Sequence, residues 1–199
     1  MRLWAGIAVG LLLASGQQSV EQRFSKAEGD RFQVKLSKIV AVGNTPRGGK
    51  RAAQSTVVSD VEVTSYLRFH ARDQVPVGIV DPVLNAQAEG IVAGRAIVDL
   101  DAVRKQKERG WLDPMGYLTG RLPLNVRGRL TTQNGVGRFI LESAELSGMT
   151  VPKSLVQELL TFYSRTPEDP DGINMDDPFE LPAQIREIRV TPGTATIVQ

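Results

Sequence analysis

His70 is the only histidine in the 199-residue chain and cysteine is absent, so acid–base or metal chemistry would have to be built from one imidazole and carboxylates. No serine sits in a Gly-x-Ser-x-Gly turn, the strained elbow that exposes a nucleophile, so a serine triad resting on His70 has no partner in sequence. A lone histidine near the end of a short amphipathic stretch reads instead as a helix-terminal or surface residue. With no thiolate and one imidazole, only oxygen-ligated ions such as Ca²⁺ are in reach. Glu168 to Asp177 places acids and amides at alternate positions, but its Gly172 comes too early for an EF-hand, no Glu closes it, and prolines stiffen it. It reads as a solvated connector. Asp99 and Asp101 would share one face of a strand about 7 Å apart, a glycosidase-like spacing without flanking aromatic subsites. Gly48-Gly49-Lys50 lacks the first glycine and the following Ser or Thr of a phosphate loop. These residues assemble no catalytic constellation, and neither a cofactor nor a metal is expected.

What positions such residues is a sequence that opens on an export signal. Arg2 supplies a charge, Leu3 to Ala14 is apolar, and Ala14-Ser15-Gly16 offers small residues for cleavage, so residues 1–16 read as a signal peptide. A retained N-terminal anchor is the alternative, although the run of about 12 residues is shorter than the roughly 20 that span a bilayer. Without residues 1–16 the 24 basic residues become 23 against 22 acidic ones, a formal charge of +1. Such balance argues against nucleic acid as a partner, because no basic field is present. The short Gly-rich run Arg47 to Arg51 reads as a solvated loop. Nothing after residue 16 has the length and hydropathy of a transmembrane span, and the destination is periplasmic or secreted.

The elements follow from periodicity. Phe32, Leu36, Ile39 and Val40 predict a helix over Arg31 to Val42, stopped by Gly43 to Pro46 and followed by a flexible loop to Ser55. Ser59 with Glu62 three residues on forms a capping box for a second helix. Leu84 to Glu89 and Ala96 to Leu100 alternate as a strand pair around Gly90. Leu122 to Leu130 and Arg138 to Leu146 form another around the Asn134-Gly135 turn. Pro152 opens a helix that ends before Pro167, and a last strand pair turns at Pro192-Gly193. The expected class is α+β: a twisted antiparallel sheet of about six strands packed against helices. Residues 17–58 are read as an N-terminal helical segment and loop, and residues 59–199 as one domain.

Large apolar residues exceed what one helical stripe needs. Trp111, Met115, Leu118, Leu155, Leu159 and Tyr163 would line a groove between helix and curved sheet, or else complete the core. Several local patterns also resemble exported bacterial domains related to the tubular lipid-binding fold. They are Val61-Glu62-Val63-Thr64-Ser65-Tyr66-Leu67, Gly-x-Leu-Pro-Leu-x-Val at Gly120 to Val126, Gly148-Met149-Thr150-Val151-Pro152, and Phe179-Glu180-Leu181-Pro182-Ala183-Gln184-Ile185. The likeness runs over most of residues 30 to 199. It departs where the group commonly has Glu-Leu-Asn and this chain has Glu62-Val63-Thr64-Ser65, so no functional role transfers there. The resemblance implies a long antiparallel sheet that wraps a helix and shields a lipid tail. The expected function is a non-catalytic exported protein that binds a lipid or other apolar ligand. The alternative is an envelope scaffold whose apolar patch meets another protein.

Overall fold

Ser25 and Ser59 start the two N-terminal helices, each by accepting a backbone N–H with its hydroxyl. In the computed structural model, which describes residues 23–45, 53–105, 119–165 and 170–199, Ser25 Oγ accepts from Glu28 N at the head of α1 (Lys26–Gly43). The predicted helix over Arg31 to Val42 lies inside it. Ser59 closes β1 (Ser55–Ser59) and caps α2 (Asp60–Phe69), and the capping box with Glu62 is complete in both directions. There follow β2 (Ile79–Ala86), a 3₁₀ turn at Ala88–Gly90, β3 (Ile91–Asp99), α3 (Leu100–Lys105), β4 (Arg121–Gln133), β5 (Val136–Leu146) and β6 (Met149–Thr150). The chain continues through α4 (Lys153–Ser164), β7 (Phe179–Glu180), β8 (Glu187–Thr191) and β9 (Thr194–Val198).

The class is α+β, with every strand pair antiparallel. One sheet runs β2-β3-β4-β5-β6, with β7 sharing the edge of β5 that β6 uses; a second, three-stranded sheet runs β1-β9-β8. The β4–β5 hairpin turns on Asn134 (φ 52) and Gly135 (φ 85), both left-handed as a two-residue turn requires. Bulges between Val80 and Val83 and opposite Arg127 and Gly128 add to the twist of the large sheet.

Two features differ from the reading by periodicity. β1, β6 and β7 are five, two and two residues long; β1 and β7 owe their strand character to partners remote in sequence, and β6 folds back on β5 across the Ser147-Gly148 turn. β1 in particular pairs residue for residue with β9. The predicted Asp99–Asp101 pair on one strand face does not form, because β3 ends at Asp99 and Asp101 lies in α3. Asp99 caps that helix, its Oδ1 accepting Ala102 N at 2.9 Å while Oδ2 takes Arg121 Nε at 3.0 Å.

A cluster of buried apolar side chains lies between α1 and the small sheet. Ile39, Leu181 and Ile185 form a cluster with Ala183, Ile188 and Ile197 packed against it. Gln184 and Gln199 tie the end of α1 to this cluster, donating side-chain N–H groups to the carbonyls of Gly43 and Ile39. α1 and β1 are thus packed against the C-terminal strands.

Candidate functional site

Residues paired across an antiparallel ladder project to the same side, so the register of β2 to β5 sorts the large sheet into two faces. One face carries Ile79, Leu84 and Ala86 from β2, and Val92, Gly94, Ala96 and Val98 from β3. It continues with Leu122, Leu124, Val126 and Leu130 from β4, then Phe139, Leu141, Ala144 and Leu146 from β5. No charged residue interrupts it. The opposite face carries Arg95, Arg121, Asn125, Arg127, Arg129 and Arg138. Glu142, at the bulge, takes Arg127 and Arg129 on that side at 3.2 and 3.3 Å.

The apolar face is only partly buried. Among its members only the small Gly128, Gly137 and Ala144 are buried, and every large side chain from Ile79 to Leu146 keeps some exposure. At the rim, Met149, opposite Leu146, is 65% exposed, and Phe179, opposite Gly137, is 43% exposed. Two glycines let aromatic rings lie flat on the sheet: a Cβ on Gly128 would run into the Phe139 ring, and one on Gly137 into the Phe179 ring.

Polar contacts along the margins hold the sheet in place. Thr64 on α2 is fully buried, and its hydroxyl bonds both Leu84 N at 2.9 Å and Leu84 O at 3.3 Å. One side chain therefore satisfies backbone groups on the outer edge of β2 that no strand pairs. Arg68 adds bonds to the carbonyls of Pro82 and Asp81. α2 is seated in turn on α1 by Glu62, whose carboxylate receives Lys35 Nζ at 2.7 and 2.8 Å and Ser59 N at 2.8 Å. Burial pushes the Glu62 carboxyl up, but Lys35 and the Ser59 donors outweigh it and hold its pKa below the usual 4.5. His70 ends α2 beside the Tyr66 ring, its Nε2 2.9 Å from an Asp30 carboxylate oxygen, so the lone histidine bridges the two helices.

On the far margin α4 packs against β5. Leu155 and Leu159 lie on α4 and are partly buried. The Tyr163 side chain and the whole of Trp111, Met115 and Leu118 lie outside the described residues. The segment after the helix is held to it by Gln157, which bonds Ile173 O and Met175 N, and Met175 is buried. In the acidic connector Asp176 is paired to Lys153, and the stretch containing Glu168 and Asp169 is outside the described residues. No helix among the described residues is long and apolar enough to cross a membrane.

The strand residues of the apolar face were not among the site residues expected from sequence, which favoured the densest apolar stretch over the alternating ones. The signal that could have found them is the pairing of two alternations: Leu122, Leu124 and Val126 run antiparallel to Val92, Ala96 and Val98, all turned one way.

No protein-family model matches the chain, and no curated protein matches it. Among solved structures, a crystal structure of lipopolysaccharide binding protein is similar at a TM-score of 0.23 and 15% identity, over 78% of this chain and 45% of that one. The chain thus spans under half the length of that protein, and a TM-score so low does not establish a shared fold.

Proposed function

We propose that this chain is a non-catalytic exported protein that binds a lipid or other apolar ligand along the apolar face of its large sheet. The observation that carries the reading is that face: four strands of uninterrupted aliphatic and aromatic side chains, none of the large ones fully buried. A partner laid on it gains about 25 cal/mol for each Å² taken from water. From Leu122 to Leu130 the strip is about 26 Å long at the usual rise per strand residue, longer than the roughly 15 Å of one bilayer leaflet, so an extended acyl chain fits lengthwise. The resemblance to the tubular lipid-binding group points to the same class of ligand, and residues 1–16 point to the periplasm or exterior as the place of action.

Native mass spectrometry of protein purified from its own cell envelope tests this. A bound lipid mass, and a rise in melting temperature on adding phospholipid, are expected. A clean apo mass with no extractable lipid and no thermal gain would refute it. A second reading places an envelope protein on the same face, favoured by Met149 and Phe179 standing exposed at its rim. It predicts a stoichiometric protein partner lost on Phe179→Asp, with no lipid in the purified complex.

A further inference from the structure

At the end of the large sheet away from α3, the tip of the β4–β5 hairpin and the outer side of β8 and β9 enclose a groove of about 790 Å³. Its charged lining is three arginines, Arg138, Arg186 and Arg189, and one acid, Glu187. The surrounding wall is neutral, with Thr131, Gln133 and Asn134 among its polar groups and Val198 buried in it. Of the hairpin residues that line it, Thr131, Gln133 and Arg138 belong to the polar side of the sheet, and Thr132 and Gly137 to the end of the apolar face. The groove therefore adjoins the end of the apolar face, while the charged side chain the hairpin gives it, Arg138, stands on the polar side.

The three guanidinium groups are not equally occupied. Arg189 lies in a two-pronged pair with Glu187, Nε to one oxygen at 2.8 Å and Nη2 to the other at 2.7 Å. Arg186 spends one donor on the Gln199 backbone oxygen at 3.0 Å. Arg138 makes no hydrogen bond or ion pair through its guanidinium among the described residues. Each guanidinium has five N–H donors, so most of the donors of these three residues are unspent. Three arginines line one concavity against a single carboxylate, leaving a net double positive charge that an anion would relieve. Low-dielectric walls also focus such a field more than an open surface does.

We propose that this groove binds a phosphate-type dianion, with Arg138 as the principal free ligand and Arg186 and Arg189 closing around it. Glu187 fixes the plane of Arg189 and keeps its remaining N–H groups turned outward from the pair. The planar fork suits two oxygens of one phosphate, a geometry that a lysine ammonium does not offer. The anion can be free in solution or carried on a lipid headgroup, and the chemistry of recognition is the same.

Calorimetric titration of the purified protein with inorganic pyrophosphate, and flotation with phosphatidylglycerol or phosphatidylcholine vesicles, distinguish the two sources. Arg138→Gln removes the free ligand at an exposed position, and Arg95→Gln removes one charge from an exposed site outside the groove. Binding of pyrophosphate, or of phosphatidylglycerol vesicles only, that weakens by about tenfold in Arg138→Gln and is unchanged in Arg95→Gln supports the site and names its source. No binding by either probe, or an equal loss in both variants, overturns it, since an equal loss is what unspecific charge attraction gives.

Discussion

Lys35 and Glu62 show how one ion pair can serve two elements at once. Glu62 closes the capping box of α2 and receives the ammonium of α1, with its side chain 8% exposed and that of Lys35 35% exposed. Removing the lysine leaves a nearly buried carboxylate with only the Ser59 donors. Lys35→Met is therefore expected to destabilise the fold by about 3 kcal/mol in urea titrations, more than an exposed pair is worth. The pair also sets an acid limit. Because the folded-state pKa of Glu62 lies below its ordinary 4.5, its contribution is fully present above that value and is lost as pH falls through the lower folded pKa. A plot of unfolding free energy against pH should fall on its acid side, and Glu62→Gln should be less stable at neutral pH with a flatter acid limb. A parallel slope in wild type and variant would show that other carboxylates set the limit. Close approach sets a different limit at Gly43, where an added Cβ would lie 2.5 Å from Ala183 Cα. Gly43→Ala should cost about 2 kcal/mol. Ala183→Gly, which relaxes a left-handed φ of 53°, should instead raise the melting temperature, by a stabilisation of about 1 kcal/mol.

Elements that depend on neighbours in sequence were legible from the residues, and those that depend on remote partners were not. The Ser59–Glu62 box and the Asn134-Gly135 turn are complete within four residues, and both form as read. Ser55 to Val58 falls in the expected N-terminal segment and loop because it has no internal period that outweighs its surroundings; only β9 makes it a strand. Asp99 and Asp101 looked paired because strand alternation was carried past the residue where the helix begins. The apolar face was hidden for a related reason. Alternation identifies each strand's inner side, but only the register shows that four such sides coincide, and only the packing shows that no described element buries their large side chains completely. Thr64 is likewise invisible to any local rule. Its hydroxyl stands in for a missing strand against both backbone groups of Leu84. Thr64→Val keeps the shape and removes both bonds, so it should cost about 2 kcal/mol by leaving buried backbone groups unpaired. Amide hydrogen exchange at Leu84 should speed up in this variant while exchange in β4 is unchanged.

Across the whole molecule, apolar packing is divided between two places with different duties. The cluster at Ile39, Leu181 and Ile185 joins α1 to the small sheet and is buried to within 9% of full. The face of the large sheet is larger and stays partly open. If the first is core and the second a binding surface, substitutions in the two places must separate stability from ligand response. Ile39→Ala, at a side chain 3% exposed, should cost about 3 kcal/mol of apo stability yet leave the thermal gain from added phospholipid intact. Val126→Thr, in the middle of the open face, should change apo stability by about 1 kcal/mol or less, because the hydroxyl can still reach water, and should remove most of that thermal gain. Differential scanning fluorimetry of both variants, with and without phospholipid, reads the two effects together. A Val126→Thr protein that loses as much apo stability as Ile39→Ala would make the face an ordinary core. The fold would then have no apolar site on this sheet, and the arginine-lined groove at its end would be the place to look for a ligand.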